Sequence, residues 1–489
     1  MTRSPRGADL LRTQSPMAGL DRRNLGPVQV FAQSVSGAAP AAAMAVVPAL
    51  VAASSGSATI WSIAVATALA LLVASCIGRF TRRMAAAGSL YSLTAKGLGP
   101  CPAFLCGSGL LIGYGLLSMS ALTGAAIQLS AVLTRLGMSP AFAPPSVIGA
   151  LLMLAALIAT LTVRGVRLSA VVVLLVETLS IGLILVVFAI LLAQHGVLVD
   201  TAQLTAPADV GLGAIAAGVL PALALFIGFE AAVALGVEAR RPFHTIPRAV
   251  RRTAALTGAL GLFAAYTQVA MFAAAPGGLA ANPNPIPTAV ASEQLPWLSM
   301  LLDAGLAASF FACALATTTA LVRLLFTAGR EGVLPAALGT AHRRHRTPHV
   351  AVAVAVPVVA VVPAVLVGWG IPPSGALSGL LITAALGYLL AYLLVCLAAP
   401  VFLHRIGELT VDAVLTTAVI VPVLLAVLVA FVASAPVTSA PLVVGSLLVL
   451  AATRYLWLRG RHPERVAAIG MYDETSAVDL VGAPVAPGR

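Results

Sequence analysis

Apolar runs of about 20 residues recur along the chain, separated by short polar stretches. A run of this length crosses the hydrocarbon core of a bilayer as an α-helix, and the alternating pattern of a membrane barrel is absent. The pattern predicts an all-α integral membrane protein with about twelve spans. Eleven of them are Val28–Ala53, Ile60–Ile77, Phe104–Leu133, Val147–Val163, Leu168–Ala193, Ala254–Ala275, Leu298–Phe326, Val350–Val367, Gly375–Ala399, Val411–Ala433 and Leu442–Leu458, and the sixth in chain order starts the stretch Leu220–Arg252.

Two of these spans are interrupted. Span 1 contains Ser36, Gly37 and Pro40, and span 6 contains Gly228 and Glu230. A helix break at membrane depth is tolerated only where it is buried in protein or lines a cavity. A carboxylate at that depth is costly and therefore functional by default. A proline kink in span 1, and a Glu230 that merely ties helices together, are the structural alternatives.

Breaks in the first and sixth of twelve spans suggest two five-helix repeats, 27–193 and 211–399, followed by two extra helices within 411–458. Paired breaks at corresponding positions point to a transporter site at the repeat interface. The link between spans 2 and 3 could form a short surface helix. The remaining parts are an N-terminal tail, 1–26, and a polar C-terminal tail, 459–489, that we expect to be disordered.

The composition supports the membrane assignment. Of 489 residues, 60% are hydrophobic and only 9% are charged, too few charges for the surface of a soluble protein. A net charge of +12 would suit nucleic acid, but every Lys and Arg except Arg135 falls on one face of the threaded spans. This positive-inside distribution predicts a multi-pass protein of the cell membrane with both termini in the cytoplasm, and no nucleic-acid partner.

Enzyme and pump signatures are missing from the sequence. It contains no HExxH motif, GxSxG motif or nucleotide-binding loop, and its histidines fall outside the spans. We therefore expect neither an enzyme nor a cofactor or resident metal. The expected partners are a small-molecule substrate and the lipid bilayer. A transporter-like sensor remains an alternative, and the oligomeric state, monomer or homodimer, is left open.

Three stretches carry a resemblance to a known family: Gln33–Ala45 (QSVSGAAPAAAMA), Phe226–Val250 (FIGFEAAVALGVEARRPFHTIPRAV) and Ala328–Pro335 (AGREGVLP). Together they resemble the amino acid–polyamine–organocation (APC) superfamily permeases, which have the LeuT-type fold. The resemblance covers spans 1 to 10 and implies a 5+5 inverted repeat. It also implies secondary active amino acid transport by alternating access, through proton-coupled symport or exchange. Relatives often have two consecutive acids after span 6, whereas Val237 precedes Glu238 here; Glu238 can still pair with nearby arginines.

The expected substrate site lies at the two breaks. Free backbone N–H groups at Ser36 to Ala39, at the positive end of the next half-helix, would hold an α-carboxylate. Carbonyl groups near Ser34 and from Phe226 to Gly228 would take the α-ammonium, and the resemblance implies that Phe226 closes over the substrate. Small residues near the span 6 break favour a mid-sized neutral side chain; a polyamine or organocation is the alternative. The full expected set is Ser34, Ser36, Gly37, Ala38, Ala39, Phe226, Gly228 and Glu230.

Two sets of residues are candidates for ion coupling. Glu177 lies among leucines and valines in span 5, where desolvation favours its neutral form, so it could exchange a proton in each cycle. Some proton-coupled relatives have a lysine in this region. Thr317 and Thr318 of span 8 are the candidates for Na⁺, as in Na⁺-coupled members of this fold. We favour H⁺, with Glu177 as carrier and Glu230 as the gate-linking acid. A structural Glu177 and threonines bonded to their own helix are the alternatives.

Overall fold

The computed structural model describes residues 23–139, 143–164, 166–194, 211–273, 275–282, 285–286, 290, 296–342, 344–434 and 439–470. These residues form helices and turns without a β-sheet, apart from one isolated bridge between Leu25 and Ala239. The helices are α1 (Pro27–Ala38), α2 (Pro40–Ser55), α3 (Thr59–Thr81), α4 (Leu90–Leu98), α5 (Pro100–Arg135), α6 (Ala143–Arg164), α7 (Val166–Gln194), α8 (Leu212–Leu223), α9 (Pro242–Met271), α10 (Pro296–Arg330), α11 (His349–Gly368), α12 (Pro373–Arg405), α13 (Val411–Ser434), α14 (Ser439–Arg461) and α15 (Pro463–Ala467).

The helices confirm the membrane-spanning class. Among the described residues, 10 helical stretches are long and apolar enough to cross a bilayer. One of them, Pro27–Thr81, runs through α1, α2 and α3 and therefore accounts for spans 1 and 2. Span 6 is not among the 10 because α8 has only 12 residues before the chain leaves the helix. Counting spans 1 and 2 separately adds one span to the 10, and counting span 6 adds another, which gives the expected twelve.

Both breaks occur in the expected spans. In span 1, Ala39 lies between α1 and α2 with φ 44 and ψ 65, a left-handed conformation. Pro40 explains the position of this break, because a proline disfavours the helical conformation of the residue before it and is well suited to start a helix. In span 6, α8 gives way to turns in which Gly228 has φ 91, followed by a 3-10 helix, Ala231–Leu235. The division into two repeats stays a prediction.

Close helix packing at the centre depends on glycines. A Cβ atom on Gly387 of α12 would lie 2.5 Å from the carbonyl oxygen of Gly109 in α5. A Cβ on Gly113, one turn further along α5, would lie 2.7 Å from the ring of Tyr388. Between membrane helices, where lipid offers no hydrophobic driving force, such small residues permit the close backbone approach that gives van der Waals contact. These glycines therefore set the separation of α5 and α12.

The face of the bundle that carries residues 23–25 and 463–470, here the terminal face, is closed by two kinds of contact. The backbone of residues 23–25 pairs with 237–240; the Asn24 N–H donates to the Glu238 carbonyl at 2.7 Å, and the Arg240 N–H to that of Leu25 at 2.9 Å. The Glu238 carboxylate accepts two hydrogen bonds from Nη2 of Arg323, at 2.7 and 2.9 Å, and both side chains are buried. The expected arginine partner of Glu238 thus comes from span 8.

Two expectations about this face need correction. The link after span 2 is a helix, α4, but it is packed into the protein rather than lying on the surface. The C-terminal tail is ordered as far as Gly470, because its N–H donates to Oε1 of Glu331 at 2.8 Å. The Tyr91 hydroxyl of α4 also donates to this carboxylate; burial, and then the charge on Glu331, raise the pKa of Tyr91 well above its ordinary value. Residues 471–489 lie outside the described residues.

The glycine contact gives a prediction for stability. We expect Gly387→Ala to lower the melting temperature of the detergent-purified protein, because the added methyl group would meet the Gly109 carbonyl; overpacking of this kind costs about 1–3 kcal/mol. Gly379→Ala is the matched control, because Gly379 lies on the same helix and a Cβ there would meet nothing within 4 Å. Equal melting temperatures for the two variants, measured by thermal unfolding, would contradict this account of the packing.

Candidate functional site

The break in span 1 leaves backbone donors at a different place from the one expected. Ser36, Gly37 and Ala38 are still part of α1, and the N–H of Ala39 donates to the Val35 carbonyl at 2.8 Å. The expectation of free N–H groups from Ser36 to Ala39 is therefore wrong. The physical reason is that the helix continues up to the proline, so the donors without a helical partner belong to the first turn of α2.

Side chains from two other spans bind these first-turn donors. The Ala41 N–H donates to Oε1 of Glu177 in α7 at 3.0 Å. The Ala42 N–H donates to the hydroxyl of Ser309 in α10 at 3.2 Å. Glu177 is fully buried, and its Oε2 has no hydrogen-bond partner among the described residues. The start of a helix favours the charged form of a carboxyl group, whereas burial favours the neutral form. The two effects therefore act on Glu177 in opposite directions.

The break in span 6 lies directly against span 1. A Cβ on Gly37 would lie 2.3 Å from the Gly228 carbonyl oxygen, and one on Gly228 would lie 2.3 Å from the Gly37 carbonyl oxygen. The two backbones thus touch at positions where only glycine fits. The Ser34 hydroxyl adds a second link by donating to the Phe229 carbonyl at 2.5 Å.

The carbonyl groups of span 6 are less free than expected. That of Phe226 accepts the Phe229 N–H at 3.2 Å, and that of Gly228 accepts the Ala231 N–H at 2.9 Å. These are turn bonds that replace the helical ones. Each carbonyl oxygen retains a second lone pair that a further donor could use.

A small cavity of about 40 Å³ lies between spans 1, 3, 6, 8 and 10. It has room for a few water molecules at about 10–15 Å³ each and is far smaller than typical ligand pockets, which start at about 300 Å³. The breaks contribute Gly37, Ala38 and Ala39 from span 1, and Ala224 and Ile227 from span 6. The other lining residues are Ala42, Ala43, Val46, Val47, Leu117, Ser120, Ala121, Phe310, Cys313 and Leu381.

The lining is almost entirely apolar. Its two polar side chains already contact backbone carbonyls: the Ser120 hydroxyl donates to Leu377 at 2.8 Å, and the Cys313 thiol to Gly37 at 3.3 Å. Phe226, expected to cover the substrate, is buried but does not line the cavity; its neighbours Ala224 and Ile227 do.

Glu230 lies apart from this cavity, on the side of the terminal face. Its Oε2 accepts the Tyr392 hydroxyl at 2.6 Å, and its Oε1 has no partner among the described residues. Tyr388 packs between Tyr392, at a ring distance of 5.8 Å, and Tyr114, at 5.3 Å. Tyr114 in turn hydrogen-bonds Ser89, which precedes α4, at 3.0 Å. Glu230 therefore connects span 6 to spans 3 and 10 rather than facing the cavity.

The two threonines differ in their contacts. The Thr317 hydroxyl lies 2.7 Å from the Cys313 carbonyl of its own helix and 2.8 Å from the Ser118 hydroxyl, so the helix-bonded alternative describes its contacts. The Thr318 hydroxyl is buried and has no partner among the described residues. Between spans 1 and 8, the side-chain amide of Gln33 donates to the Ala316 carbonyl at 2.9 Å.

The sequence did not point us to three residues that contact the site, Tyr388, Tyr392 and Ser309. Tyr388 and Tyr392 form a pair four residues apart in GYLLAY, a spacing that places both on one helix face, and this signal could have been used. Ser309 carries no such signal, because it is one hydroxyl in an ordinary span and only the packing of α10 against α2 brings it to Ala42.

Comparisons with known proteins add a family to this geometry. A family model described as amino acid permease matches residues 25–456. A branched-chain amino acid permease of Lactococcus lactis subsp. cremoris is 33% identical over 135 residues, which cover 28% of this chain and 29% of that protein. One of Bacillus subtilis is 24% identical over 311 residues, covering 59% and 63%. The chain thus spans less than two thirds of the length of either relative.

A solved structure shows a likeness of fold. It is a manganese transporter of Eremococcus coleocola, with a TM-score of 0.52, 14% identity, and coverage of 88% of this chain and 94% of that chain. This likeness and the family match confirm the resemblance indicated by the three sequence stretches.

The contact at Gly37 gives a prediction for the packing of the site. We expect Gly37→Ala to force the two breaks apart and to expose Cys313, whose thiol contacts the Gly37 carbonyl. In a Cys101→Ser background, which removes the exposed thiol, alkylation of Cys313 by N-ethylmaleimide should become several-fold faster, as followed by mass spectrometry. Gly115→Ala is the control, because its Cβ would meet nothing within 4 Å. The same rate in both variants would disprove the close contact.

Proposed function

The chain belongs to the amino acid permease family, and we propose that it is a secondary active transporter of amino acids in the cell membrane. The observation that carries the proposal is the contact between two broken helices, Gly37 against Gly228, beside a central apolar cavity. The cavity is too small for an amino acid, so spans must move apart to admit one. Alternating access supplies that movement. By the positive-inside distribution, the terminal face is the cytoplasmic one.

We propose a neutral, apolar amino acid as the substrate. The lining of alanines, valines and leucines suits an aliphatic side chain and offers no carboxylate to a second ammonium group. Two relatives are named branched-chain amino acid permeases, which supports leucine, isoleucine or valine for this chain.

The substrate's charged groups would be held by backbone. The start of α2, where Ala39 and Ala42 line the cavity, offers the positive end of a helix to the α-carboxylate. The carbonyl groups beside the breaks, including that of Gly37, would accept the α-ammonium. No basic side chain is needed for this arrangement, and none is present in the lining.

For coupling, we propose that Glu177 carries a proton. Its carboxylate binds the Ala41 N–H on one side of the same helix start whose other side lines the cavity. An ionised Glu177 and a substrate carboxylate would therefore repel each other across one helix end. Protonation of Glu177 removes that repulsion, so substrate binding and proton uptake favour each other. The other polar side chains near Glu177 are the Ser309 hydroxyl, which accepts the neighbouring Ala42 N–H, and the Cys313 thiol; both lie on α10 and both are neutral.

We assign Glu230 to the inner gate. Its bond to Tyr392, together with the contacts of the Tyr388 and Tyr114 rings, joins span 6 to spans 3 and 10, and in this proposal the cluster closes the path from the cavity to the cytoplasmic face. Opening to the cytoplasm requires this cluster to separate, along with the Glu238–Arg323 pair below it.

The substrate assignment predicts the outcome of an uptake experiment. Purified protein in liposomes should take up labelled leucine, isoleucine or valine, and unlabelled leucine should compete far better than isoamylamine, its decarboxylated analogue. Hydrogen bonds to a charged group contribute about 1.5–3 kcal/mol, so the amine should bind about tenfold to a hundredfold more weakly. Equal competition by the amine, or by putrescine, would favour the organocation alternative; no uptake of any of these compounds would favour the sensor alternative.

The proposed role of Glu177 in coupling predicts a difference in substrate accumulation between wild type and Glu177→Gln. With an inward pH gradient and no Na⁺, wild-type liposomes should concentrate substrate, and Glu177→Gln should not. Counterflow exchange needs no net driving force, so it should survive in the variant and serves as the control for folding and binding. Accumulation that requires Na⁺, or that persists in Glu177→Gln under the pH gradient, would make Glu177 structural. Thr318, whose buried hydroxyl has no hydrogen-bond partner among the described residues, would then be the better candidate.

A further inference from the structure

A second cavity, remote from the substrate site, lies near the terminal face between spans 3, 8 and 12. Its volume is about 260 Å³, several times that of the central cavity. Phe104 and Leu111 of α5, Leu324 of α10 and Leu450 of α14 form much of its wall, and Val333 of the loop after α10 closes one side. The proposed transport cycle uses none of these residues.

This cavity is open toward the bilayer. Leu450 is 66% exposed and its neighbour along the wall, Leu447, is 39% exposed. Both lie on α14, a membrane-spanning helix, so the surface around them faces acyl chains rather than water. A cavity lined by such side chains stays dry. Its natural occupant is therefore an alkyl chain.

A positive charge stands at the edge of the cavity. Arg454 lines it from α14, donates from Nη2 to the Val333 carbonyl at 3.2 Å, and lies over the ring of Trp457 at 4.6 Å. Among the described residues Arg454 forms no ion pair with a carboxylate. A guanidinium has five N–H donors in a fork that fits phosphate oxygens. Trp457 beside it is typical of the headgroup level of a membrane.

We infer that this cavity binds a phospholipid with an anionic headgroup, from the leaflet at the terminal face. One acyl chain would enter between α5 and α14, and the phosphate would bind Arg454. Mostly apolar walls with one cation in the lining, Arg454, match both parts of such a lipid, whereas a polar metabolite would match only Arg454.

Occupancy would stabilise the terminal face in its closed form. Val333 and Leu334 belong to the wall, and the loop they form begins at Glu331, which holds Tyr91 and Gly470. Tyr91 also lines the cavity. An acyl chain packed against these residues would stabilise the loop that joins span 8 to the C-terminal segment.

Adjacent alanines on α14 provide the test. Ala451 lines the cavity, whereas Ala452 is exposed and does not line it. Purified full-length wild type, Ala451→Phe, Ala452→Phe and Arg454→Gln are titrated in detergent with dioleoyl phosphatidylglycerol, dioleoyl phosphatidylcholine or soluble glycerol phosphate. Melting temperature and the number of lipids retained in native mass spectrometry are recorded.

We expect phosphatidylglycerol to raise the melting temperature of wild type and Ala452→Phe by several degrees, with one lipid retained. Ala451→Phe should lose the response to both lipids, and Arg454→Gln only the preference for phosphatidylglycerol over phosphatidylcholine. An unchanged response in Ala451→Phe would overturn the inference, as would a full response to glycerol phosphate alone. If Ala451→Phe does not fold, Ala328→Val fills the cavity from α10. Because no transport is measured, failure of the proposed function leaves this result interpretable.

Discussion

The backbone hydrogen bonds that the two helix breaks remove are the constraint on which this structure depends. In the bilayer core a backbone N–H or carbonyl group cannot form a hydrogen bond to water, so each must find its partner within the protein. At the start of α2, Glu177 and Ser309 accept the first N–H groups, and in span 6, turn bonds and the Ser34 hydroxyl replace the helical ones. These substitutes come from spans 1, 5 and 8. The breaks therefore determine which helices must surround them.

The contact between Gly37 and Gly228 joins the two breaks. Each glycine leaves no space for a side chain on the other, so neither break can change its shape without the other. The proposed proton site and the proposed substrate site share the start of α2. The proposed gate at Glu230 follows the span 6 turn that contains Gly228. A change at one of these sites would therefore reach the others through the backbone. In this proposal the proton and the substrate meet at one helix end, and the gate is connected to it through the contact between Gly37 and Gly228.

The two cavities differ in whether a charged side chain lines them. The central cavity has no cation in its lining, so in the proposed site the charged groups of the substrate would be bound by a helix end and by backbone carbonyl groups. The peripheral cavity has one cation in its lining, Arg454, and otherwise mostly apolar walls, with Tyr91 and Ser108 as the other polar side chains. The proposed ligands, an amino acid and a phospholipid, both carry charge and an apolar part, and the two linings differ in whether backbone or a side chain would meet that charge.

Sequence by itself determined the class of the protein and where its helices fail. Apolar runs, Pro40 and Gly228 are local signals, so the twelve spans, the two breaks and the burial of Glu177 and Glu230 could be read from them. The expected free N–H groups lay three to five residues early, because α1 continues through Ser36 and Gly37 as far as Ala38 and the break comes only at Pro40. The ordered tail at Glu331, the Tyr388 and Tyr392 partners of Glu230, and the meeting of Glu177 with Ala41 were decided only by the tertiary structure. Each joins residues far apart in the chain, and the pairing of distant groups depends on how whole helices pack rather than on any residue pattern within one of them.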